Sequence, residues 1–201
     1  MRYLLPATGL LLIFASHSFG QCGTQCGTER WPVKTLSDTT VKNVVFKPRK
    51  KTVHWLVNTQ PPPGKTPETA RVNGLEWINF KVRAYLVGYK KEGGKGGDQD
   101  FHVVIKDLKT SETMIVEFPD SRCQGVCSSK YISDIENARA AFLNCDAVKD
   151  RGEPATPFKK LNKPVIVEVI GVGFWDRLHG QTGVAKNGIE IHPVIAFEQI
   201  K

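Results

Sequence analysis

The alternation of apolar and polar positions is strictest from Trp77 onwards. Ile78, Phe80, Val82, Ala84 and Leu86 fall on one face of an extended segment, and Asn79, Lys81, Arg83 and Tyr85 on the other. A period of two over that length marks a half-buried strand. Residues 92–97, four glycines around Lys95 after Glu92, read as a flexible hairpin tip. Phe101, Val103 and Ile105 repeat the alternation in a second strand over 101–106, a turn fills 107–112, and a third strand covers 113–118. After a loop at 119–130 the period lengthens. Ile132, Ile135, Ala138, Phe142 and Cys145 recur at helical spacing, and Ser133-Asp134-Ile135-Glu136 carries a capping-box signature. A stretch with Pro and Gly at 151–157 leads to a fourth strand over 165–170, which 171–174 continues or bends. Lys186-Asn187-Gly188 signals a tight turn before a fifth strand over 189–197, where Pro193 points to an edge or a bulge.

The first third of the chain is less regular. Residues 21–75 read as an arm, with a short strand at 41–46, a charged turn at Lys47-Pro48-Arg49-Lys50-Lys51 and an alternating strand at 53–57. Pro61-Pro62-Pro63-Gly64 breaks regular structure, so 58–70 is expected to be an exposed linker. Ahead of the arm, Arg2, an apolar run over 4–14 and Ser18-Phe19-Gly20 have the layout of a secretory signal peptide cleaved after Gly20. That run is too short to span a membrane, and no later stretch is apolar enough to do so. The expected plan is a signal peptide at 1–20, an arm and linker at 21–75, and a mainly β domain with one helix at 76–201, in a secreted or periplasmic protein.

Three strands, a helix and two strands is the element order of the oligonucleotide/oligosaccharide-binding (OB) barrel, and on that order the segment 77–199 resembles it: a five-stranded barrel, β-β-β-α-β-β, behind an irregular arm. A second resemblance is carried by Glu29-Arg30-Trp31-Pro32-Val33-Lys34, Asp100-Phe101-His102-Val103-Val104, Thr113-Met114-Ile115-Val116-Glu117, Gly171-Val172-Gly173-Phe174, His179-Gly180-Gln181-Thr182-Gly183 and Glu190-Ile191-His192-Pro193-Val194. In these the chain resembles an uncharacterised family of exported bacterial proteins, which implies no established activity.

Composition adds charge and redox state. Lys and Arg number 28 against 20 Asp and Glu, a formal charge of +8 that favours polyanionic partners such as nucleic acid, although exported proteins are often basic for solubility alone. The cysteines fall as Cys22/Cys26, Cys123/Cys127 and a single Cys145. Export favours disulfides over zinc, five cysteines cannot all pair within one chain, and a bridge between Cys123 and Cys145 would tie the ends of the helix. The spacing is not that of a thioredoxin-like redox motif.

The candidate chemistry sits in three polar clusters at strand ends: Asp98, Asp100 and His102; Asp176, Arg177 and His179; Glu190 and His192. Carboxylates and imidazoles are the ligands of a divalent metal ion and the members of a general acid–base pair. Side chains two apart on an extended backbone share a face, which would align Asp98, Asp100 and His102, and likewise Glu190 with His192. In an OB barrel the loops holding these clusters converge at its mouth. The expectation is therefore a divalent-metal site, with Asp98, Asp100, Glu190 and His192 as ligands, His102 as ligand or proton carrier, and His179 as an acid–base group oriented by Asp176. Lys90, Lys91, Lys95 and Arg177 would attract a polyanion. The corresponding activity is metal-dependent hydrolysis of phosphodiesters or nucleic acid. The alternative is a non-catalytic module that binds nucleic acid, glycan or protein. Asp- and Gly-rich strand ends are also what plain turns look like. No Gly-x-Ser-x-Gly elbow is present, and the glycine-rich tip lacks the Lys-Ser/Thr ending of a phosphate loop. Trp77, Tyr85, Tyr89, Phe101 and Trp175 can stack bases or sugars, or pack the interior.

Overall fold

The computed structural model describes residues 22–23, 26–64, 67–72, 74–93 and 97–201. The signal-peptide reading and Lys95 lie outside the described residues. The elements are α1 (Trp31–Lys34), β1 (Val45–Lys51), α2 (Val53–Val57), β2 (Ile78–Lys91), β3 (Phe101–Lys106), β4 (Thr113–Phe118), α3 (Ile132–Leu143), β5 (Lys159–Trp175) and β6 (Ile189–Gln199). The fold is mainly β. Six strands form one mixed sheet in the order β1-β2-β3-β4-β6-β5, and a further β2–β5 pairing closes a ring of hydrogen bonds through five of them. Only β1 lies outside the ring, parallel to β2. No helix among the described residues is long and apolar enough to cross a membrane.

The period-two segments became strands for the expected reason. Phe80, Val82, Ala84 and Leu86 of β2, Phe101, Val103 and Ile105 of β3, Met114, Val116 and Phe118 of β4, and Ile189 and Ile191 of β6 all turn into one core. Phe142 of α3 enters the same core, its ring against those of Tyr89, Phe101, Phe118 and Phe197. Two glycines let the ring bend. At Gly88 the β2 register slips, and a Cβ there would stand 2.4 Å from the Phe158 ring. At Gly171 a Cβ would meet the Pro193 carbonyl oxygen at 2.4 Å, where β5 and β6 change register. Pro193 thus sits at an irregularity inside the sheet rather than at its edge.

The arm departs from expectation. The segment 41–43 is a 3₁₀ turn, and the strand begins at Val45 and runs through the expected charged turn. β1 tolerates Lys47, Pro48, Arg49 and Lys50 because it is an edge strand, where solvated charges and a missing N–H cost little. Residues 53–57 are helical, not extended. The Thr52 hydroxyl accepts from the Trp55 amide, and Val53, Leu56 and Val57 bury one side at helical spacing. Helix α3 starts at Ile132, one residue before the expected capping box, with Tyr131 as N-cap and no side-chain cap.

Two disulfides, Cys22–Cys127 and Cys26–Cys123, staple the arm to the loop after β4. Such bonds form and persist in oxidising compartments. Cys145 is a buried free thiol, so the expected Cys123–Cys145 bridge is not made. Buried Arg30 forks onto Glu76 and also donates to the Trp175 and Ala70 carbonyls, each at 2.9 Å. These contacts dock the arm against residues 70–76 and the end of β5, and place Lys34 3.6 Å from Asp98, just ahead of β3.

Candidate functional site

The outer face of the ring carries the chemistry. Side chains on β3, β4 and β6 alternate, so the residues between the core positions point outwards: His102 on β3, Glu117 on β4, Glu190 and His192 on β6. An outward face is normally wet. Here α1 and the 176–188 loop cover it, leaving His102, Glu117, Glu190 and His192 all buried. Gly183 of that loop lies so close to Val104 that a Cβ would be 2.4 Å from its methyl carbon. The site is therefore on the outside of the ring, beneath the arm, and not inside its mouth.

Glu117 is the centre. Its Oε1 is 3.2 Å from His102 Nδ1, and its Oε2 is 3.2 Å from His192 Nδ1. Asp100 Oδ2 approaches His192 Nε2 at 3.1 Å, and Glu92 Oε1 approaches His102 Nδ1 at 3.3 Å. Two groups of metal-ligand type result, Glu92/His102/Glu117 and Asp100/Glu117/His192, each with donor atoms within 4.8 Å of one another. The tautomer of His102 follows from its other nitrogen. Nε2 lies 2.9 Å from the Thr182 carbonyl oxygen, which can only accept, so Nε2 carries a hydrogen. Nδ1 then faces two carboxylates: protonated it donates to them, and with that proton displaced the three groups offer a cation one imidazole nitrogen and two carboxylate oxygens. Neither nitrogen of His192 makes a hydrogen bond, nor does Asp100 Oδ2, although all three are buried. Unbonded buried polar atoms cost about 1–3 kcal/mol each, which makes these three conspicuous.

The electrostatics are those of crowded acids in a dry place. Burial, aided by the charge of Asp98, pushes the Asp100 carboxyl well above its ordinary value. Burial also raises Glu190, reinforced by Glu117 and Asp176, and raises Glu117 against the pull of His102. Burial lowers His192 to about 4. It acts on His102 in the same sense, but hydrogen bonds to Glu117 and Glu92 overcome it and lift that ring to about 9. The His102 contact draws Glu92 down to about 2. Lys34, from α1, is buried too, yet Glu117, Asp98, Asp176 and Glu190 together hold its ammonium firmly charged. Its Nζ is 3.6 Å from Asp98 and 5.5 Å from the Phe174 ring, which in turn packs 5.5 Å from the His192 ring.

Solvent reaches this cluster through a cavity of about 200 Å³ lined by Glu29, Lys34, Glu92, Asp98, Asp176 and His179, among others. Glu92 belongs to both cavity wall and buried cluster, so it is the link between them. A second cavity of about 600 Å³, bounded by Pro61, Pro62, Trp175, Arg177 and Leu178, shares Asp176 with the first.

Of the residues singled out in the sequence, Asp100, His102, Glu190 and His192 lie together in the cluster. Asp98 stands apart from the three-residue groups, on Lys34. Gln99 adopts a left-handed φ of 65°, so 98–100 is not extended and Asp98 does not share the face of Asp100. His179 is exposed at the rim. Asp176 does not orient it: the ring lies 3.0 Å from the Arg177 carbonyl, and Asp176 accepts from Gln181 instead. The cations expected to collect a polyanion are occupied, Lys90 with Glu92 at 3.0 Å and Arg177 with Glu29 at 3.0 Å. Lys91 lies opposite Phe101 in the β2–β3 ladder. Tyr89 and Phe101 belong to the core. The sequence reading missed Glu117, Glu92 and Lys34. Glu117 was detectable, because a hairpin turn at 107–112 places it opposite His102. Lys34 had no signal, since only the folded arm brings it there. No protein-family model, curated protein or solved structure matches the chain.

Proposed function

We propose that this is an exported, metal-dependent phosphoester hydrolase built on an OB-like ring, with the cluster around Glu117 as its metal centre. The observation that carries the reading is the placement of His102, its Nε2 held by the Thr182 carbonyl and its Nδ1 set between Glu117 and Glu92, so that an ion displacing the Nδ1 proton would meet three ligands. Two ligand atoms about 2.1 Å from one ion at a tetrahedral angle stand roughly 3.4 Å apart, near the 3.2 and 3.3 Å separations here. Mixed imidazole and carboxylate donors suit zinc- or manganese-like ions. The ring order, with the helix between its third and fourth strands and a parallel β4–β6 pair, supports the OB reading. The two disulfides support export.

When bound, such an ion supplies Lewis acidity and an activated water. The chain supplies the rest. Lys34 faces the cavity and offsets negative charge on a phosphoryl group, and His179 at the rim gives a proton to the leaving oxygen. A water oxygen bonds to phosphorus, the ester P–O bond breaks, and the alcohol leaves protonated. The cavity is acidic, which disfavours a polyanion until the ion is present. Its volume suits a small phosphoester or one phosphodiester unit rather than a stretch of nucleic acid.

Hydrolysis of p-nitrophenyl phosphate and its bis ester, followed with Zn²⁺ or Mn²⁺ and then with chelator, tests this. The expected result is activity that chelation abolishes and Glu117→Gln lowers by at least about 100-fold. Absence of both bound metal and activity would overturn it. The larger neighbouring cavity favours a second reading, a ligand-binding module; chelator-insensitive ligand binding that fails in Leu178→Asp would identify that case.

A further inference from the structure

The two ligand groups share one residue, and they use different oxygens of it. Glu117 presents Oε1 to His102 and Oε2 to His192, so its carboxylate lies between two imidazoles rather than beside one. Each side has its own acid: Glu92 shares His102 Nδ1 with Glu117, while Asp100 faces His192 Nε2 and Glu117 its Nδ1, one ligand atom from each residue of either group lying within 4.8 Å of the others. We infer that the cluster holds two divalent ions bridged by Glu117, one on Glu92 and His102, the other on Asp100 and His192. This rests on the metal-centre reading above and adds its stoichiometry.

Three observations bear on the second position independently of the first. His192 is buried and both its nitrogens lack hydrogen bonds. Asp100 Oδ2 has no hydrogen bond either, although its other oxygen accepts from the Asp120 amide at 3.3 Å. A histidine and an acid 3.1 Å apart that fail to bond are placed as ligands of a common ion are placed. The charge balance points the same way. Six acids, Asp98, Asp100, Glu117, Glu190, Asp176 and Glu92, meet two ammonium groups, that of Lys34 among them and that of Lys90 on Glu92. One divalent ion leaves the acids well in excess, and two bring the cluster near neutrality. Paired ions about 3.5–4 Å apart, spanned by one carboxylate, are a recurring device for clamping the attacking and leaving oxygens of a phosphoryl group.

The test is the metal stoichiometry of the whole, oxidised protein. Purified chain is stripped, reloaded with Zn²⁺ or Mn²⁺ and dialysed, and its metal content is measured; the Mn²⁺ form is also examined by electron paramagnetic resonance. The expected result is two ions per chain, with an exchange-coupled manganese signal. Glu92→Gln and Asp100→Asn should each reduce the count to one and remove the coupling. Glu92 is partly exposed and its variant should fold, so it decides the question if buried Asp100→Asn does not. One ion per chain would overturn the bridged pair while leaving the hydrolase reading intact. No bound ion would overturn both. Two ions indifferent to Glu92→Gln would place the second elsewhere and overturn the inference.

Discussion

At the scale of single residues, buried acids play two opposite roles in this molecule. Glu76 is fully satisfied: besides the Arg30 fork it accepts the Val72 amide at 2.6 Å and the Trp175 amide at 2.8 Å. Removing one member of a buried ion pair costs about 3–5 kcal/mol because the other is stranded. Glu76→Gln should therefore lower unfolding free energy by about 3 kcal/mol in denaturant titration, with little effect on metal content if the arm stays docked. A loss under about 1 kcal/mol would contradict the assignment. Asp107 is the milder case. Burial raises its carboxyl, but the amides of His54, Lys109 and Thr110 donate to it and leave it below the ordinary value. A depressed acid stabilises the fold above its unfolded value of about 3.9 and loses that contribution as pH falls through the folded one. Acid unfolding followed by circular dichroism should accordingly begin below about pH 4, and Asp107→Asn should flatten that limb. The Glu117 cluster differs from both, because its polar atoms remain partly unbonded after folding.

At the scale of elements, the ring was legible in the sequence wherever periodicity was long. β2, β3, β4, α3 and β6 follow from alternation or helical spacing, because each lays one face on a single core. Short runs were not legible. Val53 to Val57 satisfies both periods, and only the Thr52 cap and burial against the ring decide for helix. β1 reads as a turn because its charges are solvated, and its strand state comes from pairing with β2. The candidate site was half legible for the same reason. Asp100, His102, Glu190 and His192 stand out as polar residues at strand starts, whereas Lys34 enters through the tertiary path of the arm. Gly171 is an element-scale device whose role can be tested. Its Cα lies against the Pro193 carbonyl and Ile191, so a methyl group has no room where β5 and β6 shift register. Gly171→Ala should destabilise by about 1–3 kcal/mol through overpacking. Since Ile191 sits between Glu190 and His192, the variant should also lower metal affinity. A variant of unchanged stability would show that the sheet relaxes there without cost.

At the scale of the whole molecule, the disulfides join the fold's stability to its chemistry. Cys22–Cys127 and Cys26–Cys123 span 105 and 97 residues. Either bond alone closes a loop worth about 4.7 kcal/mol of unfolded-state entropy. With one in place, the second closes only the short circuit between the two pairs, roughly ten residues, worth about 2.7 kcal/mol. Replacing one pair by serines should thus cost clearly less than half of what replacing both costs. Removal of both also releases Trp31, whose indole donates to the Gln124 carbonyl at 2.6 Å, and with it the segment carrying Arg30 and Lys34. Because that segment roofs the outer face, reduction should open the buried cluster to water and weaken metal binding along with stability. Calorimetric titration of Zn²⁺ into oxidised and reduced protein, below the unfolding temperature of each, measures this directly. Equal affinity in the two forms would mean that the arm covers the site without helping to build it.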